Sequence, residues 1–153
     1  LVRGDNVMKG YLKQSDETYK TINSEGWLKT GDLGYMDKDE FVFVTGRIKE
    51  LIVKGGENIA PREIDEVLLE HKSVLEAAAI GVPCDIYGQN VEACIRFKNN
   101  YSVSEKELID HCNERLGSFK APSKIHIMFD LPKGPSGKIQ RMKLLEIINN
   151  KIN

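Results

Sequence analysis

Apolar positions along the chain change period, and each change marks a new kind of element. Up to about residue 48 they come in short runs separated by turn residues. Gly26-Trp27-Leu28-Lys29-Thr30 follows an Asn23-Ser24-Glu25 turn signal, and Gly34-Tyr35-Met36 and Phe41-Val42-Phe43-Val44 flank Asp37-Lys38-Asp39-Glu40. Two short apolar runs around a polar tetrapeptide predict a β-hairpin. A calcium loop would need a glycine and a distal glutamate at fixed offsets from the acidic cluster, and neither stands there.

Gly46-Arg47-Ile48-Lys49-Glu50 breaks this pattern, and Leu51-Ile52-Val53 predicts a strand ending at Gly55-Gly56. Pro61 suits the first turn of a helix, with Ile64, Val67 and Leu68 on one face at helical spacing. Val74 to Val82, apolar apart from Glu76, and Val91 to Phe97 predict two strands, and Asn99-Asn100 predicts the turn after them. Ser104 with Glu107 has the form of a capping box ahead of Leu108, Ile109, Cys112 and Leu116. Gly117 fits a C-cap, Pro122 blocks continuation, and Ile125 to Phe129 predicts a third strand. A loop through residues 133–138 then leads to a last amphipathic helix carrying Leu144, Leu145 and Ile148. The expected architecture is α+β: a small C-terminal domain at 49–153, with a few-stranded sheet flanked by helices. A β-rich remnant at 1–48 precedes it.

Composition narrows the classes of function. A chain of 153 residues with 41% hydrophobic content can bury a core. Lys+Arg 22 against Asp+Glu 23 gives a net charge of -1, so no global field draws the protein to nucleic acid or to a membrane. No apolar run approaches the roughly 18 residues of a spanning helix, and no signal-peptide pattern opens the chain. Cys84, Cys94 and Cys112 fit neither a disulfide framework nor a zinc site and read as reduced packing residues of a cytoplasmic protein. Leu1 is not an initiator methionine, and the chain reads as an excised piece of a longer one.

Three glycine-containing polar clusters are candidates for chemistry. In Thr30-Gly31-Asp32, at a strand end, a carboxylate can accept hydrogen bonds from two neighbouring hydroxyls, or simply stabilise a turn. In the second cluster, residues 46–58, Arg47 offers a rigid fork of donors, and Gly55 and Gly56 permit positive φ and close approach of a ligand. Taken alone it also fits a charged hairpin. The third cluster, Gly134-Pro135-Ser136-Gly137-Lys138-Ile139, is not a Walker A loop: its spacing is too short and Ile139 stands where a magnesium-binding hydroxyl is needed. It presents Lys138 from a loop. His71, His111 and His126 have no metal-ligand spacing, and neither a GxSxG elbow nor an HExxH helix is present.

In order, the clusters carry a resemblance. Gly26 to Gly34 resembles the GWxxTGD segment of the adenylate-forming enzymes, which include acyl- and aryl-CoA synthetases, peptide-synthetase adenylation domains and beetle luciferases. Asn6 to Tyr11 is similar to the NVMxGY segment, Gly46 to Glu66 to the hinge and the loop after it, and Leu131 to Ile139 to the LPKTxxGKI motif. The resemblance runs over nearly the whole chain. It implies that Asp32 and Arg47 hold the ribose of ATP or of an acyl-adenylate, that Lys49 is the domain hinge, and that Lys138 reaches the substrate carboxylate and α-phosphate. It also implies that Gly55 and Gly56 line the channel for the pantetheine arm of coenzyme A.

The resemblance further implies two half-reactions, in which a carboxylate and ATP give acyl-AMP and pyrophosphate and CoA then displaces AMP. Magnesium is implied by the ATP chemistry, with no ligand for it identifiable here. The residues 58–65 resemble acyl- and aryl-CoA synthetases rather than amino-acid-activating domains, and Gly55-Gly56-Glu57 is similar to fatty-acyl and oxalate-type ligases. Two alternatives stand beside this: loading of a carrier protein's phosphopantetheine, and a non-catalytic module of the same fold. The phosphate loop and acyl pocket belong to the family's N-terminal core domain, the implied partner of this piece, which alone is expected to be inactive.

Overall fold

The computed structural model describes residues 1–152, which divide into two units, 1–44 and 45–152. The first unit holds a short helix α1 (Ser15–Thr21) and a two-stranded sheet of β1 (Asp32–Met36) and β2 (Val42–Arg47), β2 running across the division. Side chains of polar residues organise its turns. Asn23 Oδ1 accepts from the Glu25 and Trp27 amides at 3.1 and 2.9 Å, which turns the chain so that Leu28 bridges to both Val2 and Ile22. Asp37 Oδ1 likewise accepts from the Asp39 and Phe41 amides at 2.9 Å each, so the acidic tetrapeptide is a hairpin turn. No apolar stripe foreshadows helix α1, and Thr18 secures it by bonding the Tyr11 amide and the Gln14 carbonyl. No residue from 1 to 44 is buried.

The second unit is built on a five-stranded sheet. A 3-10 turn (Ile48–Glu50) leads into β3 (Ile52–Lys54), which pairs with β4 (Glu57–Ile59) across the Gly55-Gly56 turn. Helix α2 (Pro61–Glu70) starts on Pro61, whose missing N–H is one the first helical turn does not use. Strands β5 (Val74–Cys84) and β6 (Gly88–Phe97) form the long antiparallel centre, from Val74 opposite Phe97 to Cys84 opposite Gly88. Helix α3 (Glu105–Lys120) is capped by Ser104, whose Oγ accepts from the Glu107 amide at 3.1 Å. Strand β7 (Lys124–Ile127) then pairs in parallel with β6, and helix α4 (Arg141–Ile152) comes last.

Strand alternation explains the two cores. On β5, Ala77 and Ala79 join Val91, Ala93 and Ile95 of β6 under α2 and α3, with Ile64, Leu68, Leu108 and Cys112. Ala78, Ile80 and Cys94 point the other way and meet Leu131, Leu144 and Ile148, so α4 covers the second face. A central strand buried on both faces reads as an apolar run rather than an alternation, as β5 and β6 do. Gly117, expected as a C-cap, instead interrupts α3 at φ 76 and ψ 161, and one more turn carries the chain to Lys120. No disulfide joins the cysteines among the described residues.

Leu68 is fully buried on α2 while its neighbour Leu69 is 44% exposed. Leu68→Ala should lower the stability of the second unit by about 2–5 kcal/mol, and Leu69→Ala by under about 0.5 kcal/mol. Urea unfolding followed by far-UV ellipticity measures both, since the one tryptophan, Trp27, lies in the first unit. Equal losses would contradict the assigned faces.

Candidate functional site

In the first unit, Asp32 opens β1 directly after Gly31, which turns the chain at φ 77. The Asp32 amide donates to Thr30 Oγ1 at 3.1 Å, so the hydroxyl fixes the backbone that presents the carboxylate at the surface. Arg47 ends β2 and is exposed, and it belongs to the second unit.

Within the second unit, Lys49 sits exposed in the 3-10 turn immediately before β3. Gly55 and Gly56 lie at the opposite end of that strand, with φ of 56 and 85. Two consecutive positive φ values between paired Lys54 and Glu57 are the requirement of a type I′ hairpin turn. A Cβ built on Gly55 would stand 3.4 Å from Tyr87, whereas one on Gly56 would meet nothing within 4 Å. The backbone at Gly56 is therefore bare and open to an approaching group.

Lys138 is presented by a closed hairpin rather than an open loop. Lys133 bridges Ile139, the Gly134 amide donates to the Lys138 carbonyl at 2.9 Å, and the Gly137 amide donates to the Gly134 carbonyl at 2.9 Å. At its base, Lys133 pairs with Glu76 at 2.7 Å and Asp130 at 3.4 Å, and Arg96 bonds the same two carboxylates. The hydrogen bond to Glu76, helped by Asp130, holds the Lys133 ammonium above its ordinary pKa, and Lys133 in turn holds Asp130 below the usual carboxylate value. Lys138 itself is exposed, and among the described residues its ammonium has no ion-pair partner.

Beyond this hairpin stands Arg141, which no sequence motif singles out. Its guanidinium donates to Asp65 Oδ2 at 2.5 Å, to the Ala79 carbonyl at 2.9 Å and to Glu50 Oε2 at 3.2 Å. Asp65 also accepts from the Ala79 amide at 2.6 Å. Burial opposes the charge on Arg141, but Asp65 and Glu50 outweigh it and raise its pKa. Burial pushes the Asp65 carboxyl up, and Arg141 and the Ala79 amide offset this only in part. One side chain thus ties the turn carrying Lys49, helix α2, strand β5 and the residues just after Lys138. The signal in the sequence is Asp65, a carboxylate next to Ile64 on a buried helix face, which requires a partner.

Other polar groups lie apart. The histidines, scattered in sequence, are not all isolated in space: His71 and His111 meet edge to face at 5.1 Å, and His126 bonds Glu92. His71, Glu107, His111 and Arg115 help line a groove of about 450 Å³ that contains none of the candidate residues. Among the described residues no group of His, Cys, Asp or Glu is arranged to hold a metal ion. Burial pushes the Cys112 thiol up to about 11, which leaves it unreactive at neutral pH.

Residues 63–138 match the AMP-binding enzyme C-terminal domain family. The chain belongs to the adenylate-forming superfamily. It is 50% identical over 145 residues to the sulfoacetate–CoA ligase of Cupriavidus necator, covering 95% of this chain and 28% of that protein. ATP-bound MatB from Rhodopseudomonas palustris superposes with a TM-score of 0.89 at 31% identity, over 100% of this chain and 32% of that one. The o-succinylbenzoate CoA synthetase of Bacillus subtilis, in complex with its acyl-adenylate intermediate, gives 0.86 at 40% identity over 93% and 29%. The chain therefore spans under a third of the length of these adenylate-forming relatives.

Asp65→Asn should destabilise the second unit by about 3 kcal/mol, because it leaves the Arg141 charge partly buried and underpaired. Asp65→Leu combined with Arg141→Met should cost clearly less than the sum of the two single changes. Additive losses in urea unfolding would mean that the two side chains do not act as a pair.

Proposed function

We propose that this chain is the C-terminal part of an ATP-dependent acyl-CoA ligase of the AMP-forming kind. Residues 1–48 would end the large core domain and residues 49–153 would form the mobile domain, pivoting at Lys49. The observation that carries this reading is that the Lys138 hairpin and the Gly55-Gly56 turn stand on one compact unit. The Lys138 hairpin is joined to the Lys49 turn through Arg141 and Glu50, while the Gly55-Gly56 turn lies at the far end of β3. A three-residue strand separates its ends by roughly 10 Å. Rotation about Lys49 can therefore exchange one element for the other at a fixed substrate. The first unit supports its own part of the reading: a segment with no buried residue and exposed Tyr35, Met36, Phe41 and Val42 is suited to seat on a larger domain.

In the first half-reaction the substrate carboxylate attacks the α-phosphorus of ATP and pyrophosphate leaves. Asp32 accepts the ribose hydroxyls, Arg47 donates to the same ribose, and the Lys138 ammonium offsets charge on the carboxylate and α-phosphate oxygens. In the second, the CoA thiol passes the bare backbone at Gly56, attacks the acyl carbonyl and releases AMP as its proton is lost. Among the described residues no group of His, Cys, Asp or Glu is arranged to hold a metal ion, and no step here is routed through magnesium. The enzyme is cytoplasmic in this reading, and no helix among the described residues is long and apolar enough to cross a membrane. The chain alone, with neither phosphate loop nor acyl pocket, is inactive in the same reading. A carrier protein's phosphopantetheine is the alternative acceptor.

The test uses the full-length protein. Lys138→Ala should reduce pyrophosphate release about a hundredfold or more, the scale of losing one charge-stabilising donor, yet leave thioester formation from supplied acyl-adenylate nearly intact. Gly56→Leu should do the reverse, slowing the thiol step and sparing pyrophosphate release. Parallel losses of both half-reactions in either variant would refute the division of labour.

A further inference from the structure

Lys54 closes β3 and is 6% exposed, the one buried lysine or arginine among the described residues. No carboxylate lies within ion-pair distance of it among those residues. Its Nζ donates to the Phe119 carbonyl at 2.7 Å and stands 5.0 Å from the Phe119 ring centre and 5.6 Å from that of Tyr87. The two rings meet edge to face at 6.5 Å. The next residue continues the same contact, since the Gly55 amide donates to the Tyr87 carbonyl at 2.9 Å. Three segments converge here: the start of the glycine turn, the turn between β5 and β6, and the piece of α3 beyond the Gly117 kink.

A methionine or leucine would fill this space without the cost of taking an ammonium out of water. What the ammonium adds is a directed bond to one carbonyl and attraction to two ring faces, which together fix the position of the backbone entering the turn. We propose that Lys54 is a positioning residue for thioester formation, tethering the Gly55-Gly56 turn to Phe119 and Tyr87 so that the bare backbone at Gly56 holds its place along the thiol's path. This rests on the reading of that turn as part of the CoA channel. The tether acts on the turn alone: the Lys138 hairpin is held by Arg141, Glu76 and Asp130, none of which touches Lys54.

The experiment compares Lys54→Met and Lys54→Arg with the unsubstituted full-length protein. Lys54→Met keeps the apolar stem and removes the bond. It should raise KM for CoA about tenfold, the scale of one charge-assisted hydrogen bond, while pyrophosphate release without CoA stays within about twofold. Lys54→Arg keeps a charged donor and should recover most of the loss. Amide hydrogen exchange should show faster exchange at 54–57 in Lys54→Met and no change across β5 and β6. Equal loss of both half-reactions, or faster exchange throughout the sheet, would reduce Lys54 to a general support of the fold and overturn the proposal. An unchanged KM would overturn it as well. CoA-independent turnover by the unsubstituted protein would defeat the thioester reading itself, and that result appears before any substitution is made.

Discussion

Arg141 is held by a carboxylate of α2, a carbonyl of β5 and a carboxylate beside Lys49, and that fork links the turn carrying Lys49 to the residues that follow Lys138. Three donors leaving one planar group in fixed directions can serve three elements at once, which a lysine's compact charge does less well. The cost of taking a guanidinium partly out of water is offset only while Asp65 and Glu50 remain in place. The fork therefore ties a short 3-10 turn and a small hairpin, neither of which has much core of its own, to the middle of the sheet.

The same logic recurs at the other end of β3. There the anchoring group is Lys54, and its partners are a carbonyl and two aromatic rings rather than carboxylates. Each end of one short strand thus adjoins a turn held by a cation, Lys54 of the strand itself at one end and Arg141 of α4 at the other. In the proposed reading, where one domain serves two reactions, both turns would have to be held to the same frame so that a pivot moves them together. The first unit contrasts with this. It has well-bonded turns around Asn23 and Asp37 but no buried residue, so its local geometry is set by polar side chains rather than by a core.

Much of the second unit is legible in the sequence because its signals are local. The apolar runs of β5 and β6, Pro61 at a helix start, Ser104 at another and the paired glycines at 55–56 each specify an element within a few residues of themselves. Helix α1 is not legible, since none of its residues is buried and no stripe marks it. The three-residue strand β4 leaves no periodic signal, because pairing with β3 defines it. Gly117 has the form of a helix end and is a kink, because a glycine's freedom marks a change of direction without deciding whether the helix resumes. The candidate residues stand in motifs, but their supports do not. Arg141 lies 76 positions from Asp65 and Lys54 lies 65 from Phe119, and only the fold brings such partners together.

The central claim is that one mobile unit serves acyl-adenylate formation and then transfer to CoA. Carboxylate-dependent pyrophosphate release by the full-length protein, across acids from oxalate to long-chain fatty acids and with or without CoA, tests it most directly. The expected result is release that requires one class of acid and rises strongly with CoA, with AMP and acyl-CoA accumulating together. Release that is indifferent to CoA, or none with any acid, would contradict it.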